Sequence, residues 1–259
     1  MVATRSAAES MAMGVMIVTG GGRGIGAATA LLAAGRGYDV CVNYRSNADA
    51  AQGVAEAIRK SGGKAAAVKA DIARESEVQR LFEESHRLLG PLTALVNNAG
   101  ILERHARLDE MDAARFERVL ATNVIGALLC AREAVKRMST RHGGKGGGIV
   151  NVSSMASTLG SPGEYVDYAA SKGAIDSLTI GLAREVAAEG IRVNAVRPGV
   201  IYTEIHASGG EAGRVDRVKS SVPMQRGGEP AEVARAILWL LSAESSYSTG
   251  TFIDVSGGR

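Results

Sequence analysis

The sequence predicts an α/β protein built as one doubly wound domain, with a seven-stranded parallel sheet flanked by helices. Short apolar runs alternate with longer amphipathic runs along the chain, as strands and helices do around a parallel sheet. The apolar runs are continuous, which indicates strands that are buried on both faces. No linker, repeat or block of like charge interrupts this order. We therefore predict a single domain over residues 14–259, after a flexible leader over residues 1–13.

The first half of the chain predicts four strands separated by three helices. Short apolar runs predict strands at 14–20, 38–44, 64–72 and 92–100. Amphipathic runs predict helices at 24–37, 48–63 and 75–90, and each of these runs ends in a glycine, a common helix stop. A helix between consecutive strands is the connection that parallel pairing requires.

The second half continues the alternation with longer helices. A helical stretch from about Met111 to Met138 precedes a strand at 147–154, and a helix from about Val166 to Glu189 precedes a strand at 191–199. A helix at 230–242 and a strand at 250–258 complete the pattern. The stretch 203–222 is spotted with glycines and charges and has little apolar surface, so we predict a mobile substrate lid there.

The composition gives no sign of a nucleic-acid, membrane or metal partner. The chain has 30 basic and 27 acidic residues, a net charge of +3, and no apolar run of membrane-spanning length. Its four histidines are scattered, without the spacing of metal ligands. Cys41 and Cys130 lie in apolar runs, which predicts buried free thiols and a reducing, cytoplasmic location.

The turn after the first strand is predicted to hold a dinucleotide. In "VTGGGRGIGAA", Gly22, Gly24 and Ala27 fit the GxGxxG/A spacing between a strand and a helix. Glycine there lets backbone N–H groups and a helix N-terminus approach a pyrophosphate, while the alternative is a plain tight turn. The position of this turn near the start of a doubly wound pattern favours a Rossmann-type dinucleotide site.

The end of the second strand predicts a phosphorylated cofactor. The acidic residue that usually binds the ribose 2′-hydroxyl is missing, because the strand ends in Asn43, Tyr44, Arg45 and Ser46. Arg45 suits a 2′-phosphate, and Arg23 adds a second cation. The alternative is that both arginines are solvated surface residues. We expect NADP(H) to be preferred, with NAD(H) possible, and we expect Asn43→Asp with Arg45→Ala to favour NADH.

Tyr168 and Lys172 are predicted to form an acid/base pair. A helical step of ~100° per residue places both on one buried stripe, shared with Ile175, Thr179, Leu182 and Val186. A lysine near a helix N-terminus is disfavoured there, unless it snorkels to solvent. An ammonium beside a phenol lowers the phenol pKa from ~10, so we expect Tyr168 to exchange protons near neutral pH. Tyr165 lies two turns from Lys172 and is excluded from this pair.

Six motifs in chain order resemble those of the short-chain dehydrogenase/reductases. They are TGxxxGxG (Thr19, Gly20, Gly24, Gly26), NNAG (97–100), Asn123 of "TNVIG", "VNVSS" (150–154), YxxxK and "RPG" (197–199). The resemblance covers residues 14–258 and is strongest to NADP-using carbonyl and sugar reductases of the glucose 1-dehydrogenase kind. Tyr168 follows Ser154 by 14 residues where the family usually has 13, and we assign the extra residue to the turn "LGSPGE". Ser153 remains the alternative to Ser154.

The resemblance implies a catalytic role for four residues. Tyr168 exchanges a proton with the substrate oxygen, and Ser154 stabilises charge that develops on that oxygen. Lys172 lowers the Tyr168 pKa and holds the nicotinamide ribose, and Asn123 holds a water that leads protons to Lys172. The cofactor-binding residues, from the resemblance and the turns described above, are Gly20, Gly22, Arg23, Gly24, Ile25, Gly26, Arg45, Ser46, Asp71, Ile72, Asn98, Ala99, Gly100, Tyr168, Lys172, Pro198, Gly199, Ile201 and Thr203.

The implied function is hydride transfer between a nicotinamide cofactor and a small carbonyl or alcohol. One alternative is reduction of 3-ketoacyl groups on an acyl carrier protein, and another is cofactor binding without turnover. The resemblance also implies a homotetramer. The apolar helix "AILWLLS" and the strand "GTFIDVSGG", which close the chain at a predicted sheet edge, agree with this assembly.

Overall fold

A sheet of seven strands organises residues 13–259, which are the residues that the computed structural model describes. The strands are β1 (Gly14–Val18), β2 (Tyr38–Tyr44), β3 (Ala65–Lys69), β4 (Leu92–Asn97), β5 (Gly147–Val152), β6 (Ile191–Pro198) and β7 (Phe252–Val255). Their order is β3-β2-β1-β4-β5-β6-β7, and every neighbouring pair is parallel. This confirms the predicted doubly wound sheet. Apart from Met13, the predicted leader lies outside the described residues.

Helices connect the strands on both faces of the sheet. The α-helices are α1 (Gly24–Gly35), α2 (Ala48–Lys60), α3 (Glu75–Leu89), α4 (Ala113–Leu120), α5 (Ala127–Met138), α6 (Ala156–Leu159), α7 (Val166–Val186), α8 (Ile205–Ser208), α9 (Arg214–Val218) and α10 (Pro230–Leu241). Short 3-10 helices cover Leu108–Glu110, Thr140–His142, Ala187–Glu189, Lys219–Ser221 and Ala243–Ser245. The sequence pattern predicted the long helices, whereas α6, α8 and α9 are too short to show a period.

The side chains of β1 show why the sheet is covered on both faces. Met16 and Val18 pack into a core with α1, α2 and α10, whereas Val15 and Ile17 pack into a core with α3, α5 and α7. Each fully buried side chain of this kind contributes roughly 1.5–3 kcal/mol. The two cysteines are buried free thiols as predicted, and burial raises the pKa of each to about 12.

Several predicted strands are too long at their carboxyl ends. β1 ends at Val18 and β4 ends at Asn97, and the residues that follow leave the sheet as turns. Gly20 shows this directly, because its φ of 61° lies in the left-handed region that glycine tolerates. The order of the strands along the sheet reverses between β1 and β4, which is where a doubly wound sheet opens a crevice.

The predicted helix 111–138 is broken at its centre. A π-helical turn, Ala121–Gly126, separates α4 from α5. Such turns are frequent at functional sites. Gly126 lets the end of this turn pack closely on Ile72, because a Cβ there would lie 2.8 Å from the Ile72 side chain. The turn directs Asn123 inward, behind the crevice.

Candidate active site

A cavity of about 720 Å³ follows the carboxyl ends of the strands and brings most of the predicted site together. The predicted residues that line it are Gly20, Gly22, Arg23, Gly24, Ile25, Arg45, Ser46, Asp71, Ile72, Asn98, Ala99, Gly100, Ser154, Tyr168, Lys172, Pro198, Gly199, Ile201 and Thr203. Gly26 and Asn123 lie behind the wall. The cavity therefore joins the glycine turn to the Tyr168–Lys172 pair in one continuous space.

The glycine turn leaves the N-terminus of α1 open to the cavity. Gly24 has a φ of 51°, and no side chain caps the helix that begins there. The first turn of α1 carries no acidic residue, and the acidic group near it is Glu204 of the lid, whose carboxylate would lie 3.5 Å from a Cβ on Gly24. Gly26 serves packing, because a Cβ there would lie 2.5 Å from the Gly20 carbonyl oxygen. This arrangement suits a pyrophosphate.

Thr19 and Asn98 fix the glycine turn to the neighbouring strand end. The Thr19 hydroxyl oxygen accepts hydrogen bonds from the backbone N–H groups of Asn98, at 2.9 Å, and Ala99, at 3.0 Å. The Asn98 side-chain amide donates to the carbonyls of Thr19, at 2.8 Å, and Gly20, at 3.1 Å. These bonds hold the cavity wall in place before any cofactor enters.

The residues after β2 differ in what they can offer a ligand. Arg45 and Ser46 are exposed on the cavity, and within residues 13–259 Arg45 forms no ion pair or side-chain hydrogen bond. Arg23 is also exposed and donates to the Ser208 hydroxyl at 3.4 Å. Asn43 is buried, and its amide donates to the Ala70 carbonyl at 3.1 Å and the Val68 carbonyl at 3.3 Å. Asn43 is therefore structural, whereas Arg45 is free to bind.

Tyr168, Lys172 and Ser154 meet at the other end of the cavity. The Lys172 ammonium lies 5.5 Å from the centre of the Tyr168 ring and donates to the Val152 carbonyl at 2.7 Å. The Ser154 hydroxyl lies near the Tyr168 phenol and accepts a hydrogen bond from the Ala156 N–H at 3.1 Å. The Ser153 hydroxyl instead donates to Asp176 at 2.6 Å. The structure therefore favours Ser154 over Ser153 as the partner of a substrate oxygen, despite the extra residue in the turn.

The expected lowering of the Tyr168 pKa is wrong for this structure. Burial raises the pKa of Tyr168 to about 12, and only the Ser154 hydroxyl opposes that rise. Burial lowers the pKa of Lys172 to about 8, and the Asp176 carboxylate opposes that change. Lys172 directs its ammonium to the Val152 carbonyl, so it does not offset the cost of burying a phenolate.

Three hydrogen bonds hold the Asn123 side chain behind Gly100. It is 1% exposed, its side-chain oxygen accepts from the Ile101 N–H at 2.8 Å, and its amide donates to the Ile101 carbonyl and the Ser171 hydroxyl, each at 3.1 Å. A Cβ on Gly100 would lie 3.4 Å from the Asn123 oxygen and 3.7 Å from the Lys172 nitrogen. Both polar groups therefore flank one glycine, and the water expected between them stays a prediction.

The sequence reasoning missed Asp176 and its partner Arg197. The Asp176 carboxylate accepts from the Ser153 hydroxyl at 2.6 Å and from two nitrogens of the Arg197 guanidinium at 2.9 Å and 3.1 Å. This group ties β6 to the strand end that carries Ser154. Asp176 follows Lys172 by four residues on the same helix, and that spacing is the signal that would have revealed it.

The predicted lid contributes a second cluster that the sequence did not reveal. Arg214 in α9 is buried and pairs with Glu164, the residue two before α7. Tyr165, excluded from the acid/base pair, lines the cavity and hydrogen-bonds His105. The partners of Arg214 and Tyr165 are 50 and 60 residues away, so no local pattern joins them.

Two other kinds of site are not found in the part of the chain that the structure describes. Residues 13–259 contain no group of three or more His, Cys, Asp or Glu side chains arranged to hold a metal ion. No helix within the same range is long and apolar enough to cross a membrane.

Known proteins match this chain over nearly its whole length. A family model described as enoyl-(acyl carrier protein) reductase matches residues 20–259. The uncharacterized oxidoreductase YgfF of Escherichia coli is 63% identical over 247 residues, which cover 95% of this chain and 100% of that protein. Glucose 1-dehydrogenase 2 of Bacillus subtilis is 37% identical and covers 93% of each chain. A short-chain dehydrogenase from Burkholderia cenocepacia, solved in complex with NADP, has a TM-score of 0.86 and 34% identity, covering 94% of this chain and 96% of its own.

Proposed function

Since the chain belongs to the short-chain dehydrogenase/reductase family of oxidoreductases, we propose that it interconverts a carbonyl and a secondary alcohol with NADP(H) as preferred cofactor and Tyr168 as general acid/base. One observation carries the proposal. Ser154, Tyr168 and Lys172 line the same cavity as the glycine turn and Arg45. Proton exchange and cofactor binding thus share one cavity.

The residues of the cavity fit a nicotinamide dinucleotide phosphate. The uncapped N-terminus of α1 suits the pyrophosphate, and the exposed guanidinium groups of Arg45 and Arg23 suit a 2′-phosphate. The relative from Burkholderia cenocepacia was solved with NADP. When bound, the cofactor supplies or accepts the hydride. NAD(H) remains a possible second cofactor, because the 2′-phosphate contacts lie at one end of the site.

The chain's own residues handle the proton and the substrate oxygen. The pKa of Tyr168, about 12, keeps the phenol protonated at neutral pH, which is the form that reduction of a carbonyl requires. Tyr168 donates its proton to the substrate oxygen, and the Ser154 hydroxyl stabilises negative charge on that oxygen. Lys172 holds the nicotinamide ribose, and Asn123 behind Gly100 supports the water that returns a proton through Lys172.

The test is consumption of NADPH and NADH by the purified protein with a panel of aldehydes, ketones and sugars. We expect turnover of at least one carbonyl, with NADPH used more efficiently than NADH. Cofactor binding without turnover of any carbonyl or alcohol would support the non-catalytic alternative and reject the proposal.

The matching family description favours one second candidate, an acyl-carrier-protein-linked activity. This second candidate is reduction of a 3-ketoacyl thioester on an acyl carrier protein. The Gly/Lys-rich loop beside Arg141 differs from the pattern that we expect for docking an acidic carrier protein. Adding a 3-ketoacyl carrier-protein thioester to the panel decides between them, because this candidate requires it to be the best substrate.

We further propose that the protein is a homotetramer and works in the cytoplasm. Exposed apolar side chains on α4, the π-helical turn and α5, namely Leu120, Ile125 and Leu128, would be covered by association. Trp239 of α10 is also exposed, and β7 forms a sheet edge. Light scattering at micromolar concentration tests this, and a monomer there would reject the tetramer.

A further inference from the structure

The cavity wall near Tyr168 contains an ion pair between the buried Arg214 of the lid and the partly buried Glu164 before α7. Arg214 is 8% exposed, and its two terminal nitrogens donate to the two Glu164 carboxylate oxygens at 2.8 Å and 2.6 Å. Its guanidinium also lies 5.0 Å from the centre of the Tyr165 ring. Both members of the pair line the cavity. The pair is therefore a fixed part of the surface that a substrate would meet.

The pair lies close to the reacting end of the cavity. The Tyr165 ring, on which Arg214 is stacked, packs edge-on against Tyr168 with ring centres 6.5 Å apart. The surrounding wall is mainly apolar and includes Leu102, Met155, Leu159, Val200 and Ile205. A substrate whose oxygen reaches Tyr168 is thus placed beside this wall and beside the ion pair.

The charges of this cluster cancel. Arg217 hydrogen-bonds Glu211 and lies 3.4 Å from Glu164, while Glu211 lies 3.8 Å from Arg214. Two arginines therefore face two glutamates, and His105 lies 3.4 Å from Glu211 at the edge. The pKa values of both glutamates are lowered, chiefly by hydrogen bonds from Arg214 to Glu164 and from Arg217 to Glu211. Both carboxylates are ionised at neutral pH, so neither arginine has spare charge.

We propose that Glu164 is a specificity-determining residue. Because its carboxylate pairs with Arg214, the substrate end of the cavity accepts neutral carbonyl compounds and rejects those that carry a carboxylate. This inference rests on the proposed oxidoreductase function and names the substrate class of the same site. A neutral ketone, aldehyde or ester needs only the apolar wall and the proton donor. A carboxylate would lose its hydration beside Glu164 and find the buried arginine of this wall already paired, which disfavours its binding.

The other cations of the cavity do not change this conclusion. Arg23, Arg45 and Arg259 are exposed on the cavity, and the first two belong to the end assigned to the adenosine. Lys172 is buried, but it is bonded to the Val152 carbonyl beside Tyr168. Among the described arginines that line the cavity, Arg214 is the one that is buried. Glu164 therefore controls whether Arg214 can bind an anion.

The test uses a matched pair of substrates, a 3-oxo ester and its free acid, with wild type and Glu164→Gln. We expect the wild type to prefer the ester by at least about tenfold in kcat/KM, and Glu164→Gln to reduce that preference by about tenfold to a hundredfold, because a charge-assisted bond to Arg214 becomes available. The gain should appear as a lower KM for the acid. Glu164→Gln/Arg214→Gln is the matched control, since it is neutral again and should restore the preference for the ester.

A second readout does not depend on which carbonyl is turned over well. A simple carboxylate such as benzoate should barely inhibit the wild type with its best neutral substrate and should inhibit Glu164→Gln competitively. A wild type that uses the free acid as well as the ester, or a folded Glu164→Gln with unchanged preference and unchanged inhibition, would overturn the assignment. If Glu164→Gln does not fold, the wild-type ester-to-acid ratio decides. Absence of turnover with the whole carbonyl panel would instead reject the proposed function, and this inference with it.

Discussion

Removal of Arg45 should reduce the use of NADPH while leaving the use of NADH nearly unchanged. Arg45 lines the cavity just after β2, and within residues 13–259 it has no ion-pair partner, so its guanidinium is free to bind a phosphate. A charge-assisted hydrogen bond contributes about 1.5–3 kcal/mol. Because Arg45 is exposed and is screened by salt, we take the lower end, about 1.5 kcal/mol or roughly tenfold.

The assay is the steady-state KM for NADPH and for NADH in wild type and Arg45→Ala at physiological ionic strength. We expect the KM for NADPH to rise about tenfold and the KM for NADH to change less than about twofold. Raising the salt concentration should shrink the difference between the two proteins. Arg87→Ala is the matched control, because Arg87 is exposed on α3 and does not line the cavity. Equal weakening of both cofactors in Arg45→Ala would refute the reasoning.

The structure also changes how a switch toward NADH should be made. Asn43→Asp would place a carboxylate against the carbonyls of Val68 and Ala70, where the amide of Asn43 now donates. We expect that substitution to destabilise the fold by about 2 kcal/mol rather than to bind a ribose. Tyr44 is partly exposed on the cavity at the end of β2, so Tyr44→Asp with Arg45→Ala is the better pair.

Two further predictions concern the neighbourhood of Lys172 and the lid. Tyr168 and Asp176 are the titratable groups facing Lys172, and the Asp176 carboxylate raises the Lys172 pKa against burial, which holds it at about 8. If the ammonium is required, kcat/KM falls as the pH rises through about 8. Asp176→Asn should move that decline to lower pH by roughly half a unit. Asp254→Asn is the control and should not move it, because the Asp254 side chain is 49% exposed on the far side of Arg197. In the lid, residues 203–222, we expect fast amide exchange except around the buried Arg214 and Val215. Exchange should become slower when cofactor and substrate are both bound. Strong protection throughout the lid of the free protein would contradict a gating role.

The fold was predictable because its information is local. Most strands are short apolar runs, the helices α2, α3, α4, α5 and α10 have an amphipathic period, and both features depend only on neighbours in the chain. The strand ends were extended too far, since Thr19 and Asn98 continue the run in composition while their backbone turns into the cavity wall. The positions of Tyr168 and Lys172 could be predicted from a helical spacing of four.

The rest of the site depends on distances that a sequence does not contain. Glu164 and Arg214 are 50 residues apart and meet only because the lid folds over the segment before α7. The predicted direction of the Tyr168 pKa shift was wrong, because it depends on how deeply Tyr168 is buried and on which atom the Lys172 ammonium contacts. Neither can be read from the sequence. Asn43 was expected to be a position where an aspartate would favour NADH, but its bonds to two strand ends make it structural.

The role of Tyr168 is tested most directly by comparing turnover and NADPH binding in wild type, Tyr168→Phe and Tyr165→Phe with one carbonyl substrate. Tyr168→Phe removes only the phenolic O–H, so we expect kcat to fall about a hundredfold to ten-thousandfold while the Kd for NADPH stays within about threefold. Tyr165→Phe loses a hydrogen bond to His105 but keeps the proton donor, so its kcat should fall far less. Full activity in Tyr168→Phe, or a greater loss in Tyr165→Phe than in Tyr168→Phe, would contradict the assignment of the proton donor.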